Sequence, residues 1–143
     1  MSRAMPLHEW LAGAVPALPV FNPLVHGLST DSRDLAEGDA FIALAGETTH
    51  GLKFADKAIA ARVAAIVFEE PAPDDLVLPA NAVGVPGLRD KLGALADRFY
   101  SSPSKAMAAR GVTGTNGKTS TVQLIAQALD SRGVTVGTIG TLG

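Results

Sequence analysis

The sequence predicts an α/β chain with a parallel sheet, followed by a second α/β unit of which only the opening β-α-β falls within the 143 residues. Three observations lead there. Strand-like apolar runs alternate with helical patterns, the order that builds parallel sheets. Apolar residues make up 47% of the chain but aromatics only 5%, so the core must be built from Ala, Val, Leu and Ile, as suits strands covered on both faces. Near the end, a glycine-rich loop separates a strand-like segment from a helical one, restarting the alternation.

The elements follow in order. Pro6 to Leu18 reads as a short helix ended by Pro16 and Pro19, with Trp10, Leu11 and Val15 on one face. Val25 to Leu28 reads as a short extended piece, followed by the polar string Ser29-Thr30-Asp31-Ser32-Arg33. Gly38 marks a turn before Ala40-Phe41-Ile42-Ala43-Leu44, a strand buried on both faces. Gly46 to Gly51 is a polar loop. A helix is expected from about Lys53 to Arg62, with Phe54, Ala58 and Ile59 on one side. Ala64 to Phe68 is a second buried strand, and Glu69 to Pro79, acidic and proline-rich, reads as a surface loop. Ala82 to Val85 is a short strand. Leu88 to Tyr100 is a helix, with Leu88, Leu92, Leu95, Ala96 and Phe99 at helical spacing. Ser101 to Ser104 ends it and marks a domain boundary, giving domains 1–102 and 103–143. Beyond it, Ala106 to Thr113 is strand-like, Lys118 to Arg132 helical, and Val134 to Ile139 a strand.

Composition narrows the function. A net charge of −2 with interspersed acids and bases lacks the basic stripe of a nucleic-acid binder. With no cysteine there is neither a disulfide framework nor thiolate chemistry. No signal peptide is evident before Pro23, and no run approaches the roughly 18 apolar residues of a membrane span. A cytoplasmic protein without membrane or nucleic-acid partners is expected.

The strongest motif is Gly111-Val112-Thr113-Gly114-Thr115-Asn116-Gly117-Lys118-Thr119-Ser120. Gly114 and Gly117 permit a turn whose N–H groups face inward, where a side chain would block an anion. The helix starting near Lys118 aims its positive end at the same point. Lys118 adds a full charge for β- and γ-phosphates, and Thr119 is placed to reach a Mg²⁺ ion on them. The general pattern opens on a glycine where this chain has Val112, with Gly111 one residue earlier. An ordinary turn accounts for the glycines but not for a cation in the first turn of a helix, which is unfavourable unless an anion binds.

Thr113-Gly114-Thr115-Asn116-Gly117-Lys118-Thr119 resembles the ATP loop of the Mur ligases of peptidoglycan synthesis, where the Val112 departure is usual. Thr30-Asp31-Ser32-Arg33, Gly38 to Leu44, Gly46 and His50-Gly51 resemble the N-terminal domain shared by the tripeptide-synthetase (MurE) and MurF types. Gly137-Thr138-Ile139-Gly140-Thr141-Leu142-Gly143 is similar to the MurE type. The resemblance implies a small Rossmann-like UDP-binding domain followed by the first β-α-β of a P-loop ATPase central domain. It implies an ADP-forming ligase that adds a third amino acid, meso-diaminopimelate or L-lysine, to UDP-N-acetylmuramoyl-L-alanyl-D-glutamate. ATP with Mg²⁺ would activate the carboxylate as an acyl phosphate, which the amine of the diamino acid displaces.

By motif match, Thr30 and Ser32 fall where the family contacts uracil or ribose, and Glu47, Thr48 and Thr49 fall in the loop that approaches the UDP. Hydroxyls and backbone N–H groups can read a pyrimidine edge, and loops after strand C-termini are where α/β sheets bind ligands. The resemblance assigns Gly114, Thr115, Asn116, Gly117, Lys118, Thr119 and Ser120 to ATP, Lys118 to catalysis and Thr119 to Mg²⁺. Plainer readings stand beside these. Asp31 and Ser32 can close a turn on the backbone, and Arg33 can pair with Asp31 or Asp34. Glu47 would be repelled by a diphosphate, so its backbone is the better contact. His50 beside Gly51 could approach a phosphate but reads first as a surface-loop histidine, and His8 and His26 lack metal spacing. The expectation is a monomer whose 143 residues bind UDP without catalysing, the remaining site carboxylates lying beyond Gly143. Alternatives are a MurF-type ligase, a non-catalytic nucleotide-binding module, or a P-loop NTPase of another class, which leaves the first half unexplained.

Overall fold

A computed structural model describes residues 4–140, so Thr141, Leu142 and Gly143 of the last motif lie outside the described residues. The chain divides into two compact units, Met1–Ala106 and Met107–Gly143.

The first unit is organised by four parallel strands in sequential order. A preceding two-residue pair, β1 (Met5–Pro6) with β2 (Leu24–Val25), is antiparallel and encloses α1 (Leu7–Leu11). The main sheet then runs β3 (Leu28–Ser29), β4 (Ala40–Ala43), β5 (Ala65–Glu70) and β6 (Ala82–Pro86). Its register pairs Ser29 with Phe41, Ala43 with Phe68, and Glu70 with Pro86. Side chains alternate across a strand, so each apolar run divides between two cores. Ala40, Ile42, Ala65 and Val67 face α1 and α3 (Leu88–Phe99), together with Trp10, Leu88, Leu95 and Phe99. Phe41, Ala43, Ile66 and Phe68 face α2 (Ala55–Ala60), together with Leu52, Ala55 and Ala58.

Several elements depart from the sequence expectation. α1 ends at Leu11 because Gly13 takes φ +74°, a left-handed turn that breaks the helix before Pro16 is reached. Its last carbonyls are taken by a long-range donor: Arg98 Nη1 donates to Trp10 O at 2.8 Å and Ala12 O at 2.7 Å. The extended piece at Val25–Leu28 divides between two sheets. The helix expected from Lys53 starts as a 3₁₀ turn over Gly51–Phe54, tighter by about half a residue per turn than an α-helix. That phase change buries Leu52, Ala55 and Ala58 and leaves Phe54 and Ile59 exposed. β5 extends to Glu70, two residues into the expected surface loop, because β6 supplies ladder partners Val85 and Pro86. In α3, Leu92 and Ala96 are only partly buried, whereas Leu88, Leu95 and Phe99 are enclosed.

In the second unit the regular element is α4 (Lys118–Asp130). The segments expected as strands, Ala106 to Thr113 and Val134 to Ile139, carry no strand among the described residues. A strand exists by its hydrogen-bonded ladder, and neither segment forms one there. Across both units, no helix among the described residues is long and apolar enough to cross a membrane.

Candidate functional site

The first candidate site lies at the carboxyl edge of the main sheet. β3 and β4 are adjacent and parallel, so the chain leaves both at the same edge. Thr30 to Ser32 follow β3, and Glu47 to Thr49 follow β4.

The β3 turn is built by its own polar groups. Asp31 Oδ1 accepts the Arg33 backbone N–H at 2.9 Å and Nε at 2.9 Å, while Oδ2 accepts Nη2 at 2.6 Å. Ser29 Oγ accepts the Asp31 N–H at 3.1 Å and donates to the Asp31 carbonyl at 3.1 Å. Of the two acids weighed as partners for Arg33, Asp31 holds it. Thr30 is exposed and Ser32 half-buried, and neither side chain is engaged in the turn's bonds. The Arg33 guanidinium, with the backbone N–H behind it, lowers the Asp31 carboxyl from 3.8 to about 2. A depressed carboxyl stabilises the turn above its unfolded value, and that contribution is lost as pH falls through the folded value. Carbon-detected titration of Asp31 should therefore show a midpoint near 2, rising toward 3.8 in Arg33→Ala. An unchanged midpoint in that variant would disprove the pairing in solution.

The β4 loop is a small hairpin. Ala45 and His50 pair antiparallel, Gly46 N–H donates to Thr49 O at 3.0 Å, and Gly51 N–H donates to Leu44 O at 2.8 Å. The closure needs Gly51: a Cβ there would sit 2.8 Å from Ala43 Cα, a backbone atom that cannot give way. Glu47 and Thr48 are exposed at the tip, and Thr49 is half-buried beside them. The hairpin thus presents backbone and hydroxyl groups together with one carboxylate.

Sequence reasoning missed what holds this hairpin. His50 is half-buried rather than a loose surface residue: its Nδ1 accepts the Leu52 N–H at 3.1 Å, leaving Nε2–H to donate to Glu69 O at 2.8 Å. Glu69 Oε2 accepts the Ala45 N–H at 3.0 Å, and Arg89 Nη2 donates to Ala45 O at 2.5 Å. An acid in a proline-rich stretch gave no local signal of a partner 24 residues away.

The second candidate site is the phosphate loop. Gly114 and Gly117 take φ +148° and +76°, conformations closed to most side chains. Gly117 is the N-cap of α4 and supplies no side chain to its free N–H groups. Thr115 and Asn116 form the bend between the glycines, and Lys118, Thr119 and Ser120 are the exposed first turn. Lys118 Nζ donates to Gly114 O across the loop, and Thr121 Oγ1 donates to Gly117 O at 2.7 Å. Uncapped N–H groups, the positive end of a 13-residue helix and one ammonium converge on this point. That donor set fits an oligophosphate. Among the described residues, no group of three or more His, Cys, Asp or Glu side chains could hold a metal. The first turn exposes the Thr119 and Ser120 hydroxyls, oxygens of the kind that a cation carried on nucleotide phosphates accepts.

Two family models match this chain, each over a separate stretch. The Mur ligase family catalytic domain matches residues 24–100, and the Mur ligase middle domain matches residues 112–143. Over all 143 residues the chain is 57% identical to the UDP-N-acetylmuramoyl-L-alanyl-D-glutamate–2,6-diaminopimelate ligase of Xanthomonas campestris pv. campestris and 52% identical to the ligase of that name from Xylella fastidiosa. It spans 28% of the length of each. Among solved structures, the MurF ligase of Thermotoga maritima in complex with ADP is 26% identical, with a TM-score of 0.56 over 73% of this chain and 23% of that one. A MurF structure from Acinetobacter baumannii matches in fold, with a TM-score of 0.66 and 22% identity over 99% of this chain and 30% of that one. A parallel α/β unit carrying two loops at one sheet edge, a phosphate loop opening α4, and a family match across more than half of the residues lead to one conclusion: the chain belongs to the Mur ligase family.

Proposed function

We propose that this chain is the nucleotide-handling portion of an ATP-dependent ligase that joins 2,6-diaminopimelate to UDP-N-acetylmuramoyl-L-alanyl-D-glutamate. The observation that carries the proposal is the 57% identity over all 143 residues with a ligase whose name states that reaction. Residues 1–102 are the UDP-substrate domain in this reading, and 103–143 begin the ATP domain. The β3 turn and β4 hairpin receive the uridine end through Thr30, Ser32, Thr48, Thr49 and the Glu47 backbone. The Glu47 carboxylate points the other way electrostatically, which is why its backbone is assigned.

At the phosphate loop, backbone N–H groups of Gly114 to Gly117 and of the first turn of α4 hold the β- and γ-phosphates. Lys118 exchanges its bond to Gly114 O for phosphate oxygens, Ser120 lines the same turn, and Thr119 is the protein oxygen for magnesium. Magnesium would neutralise charge on the transferring phosphoryl group. The chain's own residues hold the γ-phosphate in line for the substrate carboxylate, so their contribution is position and electrostatics. Activation yields an acyl phosphate, and the amine of the diamino acid displaces phosphate to form the amide.

The test is ADP release by the full-length protein given ATP, the UDP-dipeptide and diaminopimelate. Turnover only with a UDP-tripeptide and D-alanyl-D-alanine would replace this reading with the MurF type. Calorimetric titration of the present chain with UDP tests the first half alone. Ser32→Ala is expected to weaken UDP binding by about 0.5–1.5 kcal/mol, one hydrogen bond's net worth, while leaving ATP binding unchanged. Equal losses for both nucleotides would instead indicate misfolding.

A further inference from the structure

We propose that Glu69 and Arg89 are positioning residues that hold the β4 hairpin in the shape that receives the uridine nucleotide. The inference rests on reading that hairpin as a UDP contact. β4 ends at Ala43, so Ala45 to His50 lie beyond the sheet's ladder and need other restraint. Glu69, on neighbouring β5, supplies it to both arms. Its side chain accepts the N–H of Ala45 at 3.0 Å on the outgoing arm, and its main-chain carbonyl accepts Nε2–H of His50 at 2.8 Å on the returning arm. Arg89 completes the grip from α3 by donating Nη2 to the Ala45 carbonyl at 2.5 Å. Both polar groups of Ala45 are therefore held by side chains from two other elements.

The pair also joins the hairpin to α3. Gly87, the N-cap of α3, provides no capping side chain, and Glu69 Oε1 accepts the Arg89 N–H in the first turn at 3.2 Å. One carboxylate, only 14% exposed, thus serves the helix start with one oxygen and the hairpin with the other. The fold can dispense with the Arg89 contact. Its side chain is 57% exposed and lies outside the apolar core, and α3 is held by Leu88, Leu95 and Phe99. What the Arg89 contact restrains is the hairpin, and a binding loop held in its bound shape before the ligand arrives loses less entropy on binding.

The experiment uses the whole chain and the variants Arg89→Ala, Arg89→Lys and Glu69→Ala, with UDP as the probe. Arg89→Ala is expected to weaken UDP binding about 3- to 10-fold, the loss of one charged hydrogen bond diluted by solvent, with an unchanged melting temperature. Arg89→Lys should recover part of it, because an ammonium can still reach the carbonyl. Glu69→Ala should lose at least as much and lower the melting temperature as well, since α3 loses its cap. Amide hydrogen exchange, read without ligand, should quicken at Gly46 and Gly51 in Arg89→Ala and stay constant in α3. Wild-type UDP affinity in Arg89→Ala overturns the proposal. If the wild-type chain binds no UDP, the functional reading fails separately, and hydrogen exchange decides the grip itself: unchanged rates at Gly46 and Gly51 reject it.

Discussion

Trp10→Ala is expected to destabilise the first unit by about 3–5 kcal/mol, the range for truncating a large buried aromatic. Trp10 is fully enclosed and packs edge-on against Phe99, with ring centroids 6.1 Å apart and planes at 72°. Its indole Nε1–H donates to Leu95 O at 3.0 Å, so its one polar atom is satisfied inside the core. A five-residue helix has no independent stability, and α1 stays in place through this side chain, Leu7, Leu11 and the Arg98 bonds to its carbonyls. Removing the indole opens a cavity against α3 and releases the anchor that joins the two ends of the unit. For a unit of this size the loss corresponds to a fall in melting temperature of more than about 10 °C. Trp10→Phe keeps most of the ring and should cost about 1 kcal/mol through the lost N–H donor. The measurement is thermal unfolding followed by far-ultraviolet circular dichroism, with the fully exposed Val20→Ala as the reference. A Trp10→Ala transition coinciding with that of Val20→Ala would refute the packing.

These residues also show what could be read without coordinates. Ala40 to Ala43 and Ala65 to Phe68 were legible because a strand buried on both faces must be apolar at every position, and a parallel sheet buries both faces. α3 was legible because Leu88, Leu95 and Phe99 recur at the helical period. The α2 face was misread because periodicity says which residues share a face only when the helix keeps one geometry. The 3₁₀ start at Gly51 shifts the phase, so Leu52 is buried and Phe54 exposed.

The sites divide in the same way. The glycine-rich loop is local in sequence: the positive-φ turns at Gly114 and Gly117 and the helix start at Lys118 stand where the residues themselves require them. Asp31 with Arg33 is local too, at a spacing of two residues. The Ala45 grip is not: Glu69 and Arg89 are 24 and 44 residues away, and only the sheet order brings them to it. The expected strands at 106–113 and 134–139 depend on partners as well, since apolar extended segments become strands only when another edge bonds to them.

Lys118→Ala carries the largest expected effect on ligand binding. In the full-length protein it should weaken ATP binding by roughly 1.5–3 kcal/mol, the scale of a hydrogen bond to a charged group, or about 10- to 150-fold. The substitution has a second signature that separates it from a folding defect. Lys118 opens α4 at its positive end, where a cation is disfavoured by about 0.3–1 kcal/mol, and alanine is the better helix former. The variant should therefore be as stable as the parent or slightly more so while losing the nucleotide, a combination that truncating a structural residue does not produce. The ammonium's present acceptor, Gly114 O, is a single neutral carbonyl on the exposed loop, a weak partner that phosphate oxygens displace with little cost. Lys118→Arg keeps the charge but brings a planar fork on a longer stem to a loop shaped by Gly114 and Gly117, so it should recover only part of the affinity. Calorimetric titration with ATP and magnesium, paired with thermal unfolding of each variant, reads both quantities. Unchanged ATP affinity in Lys118→Ala would remove Lys118 from the site and leave the backbone N–H groups and the helix end as the whole of the phosphate-binding apparatus.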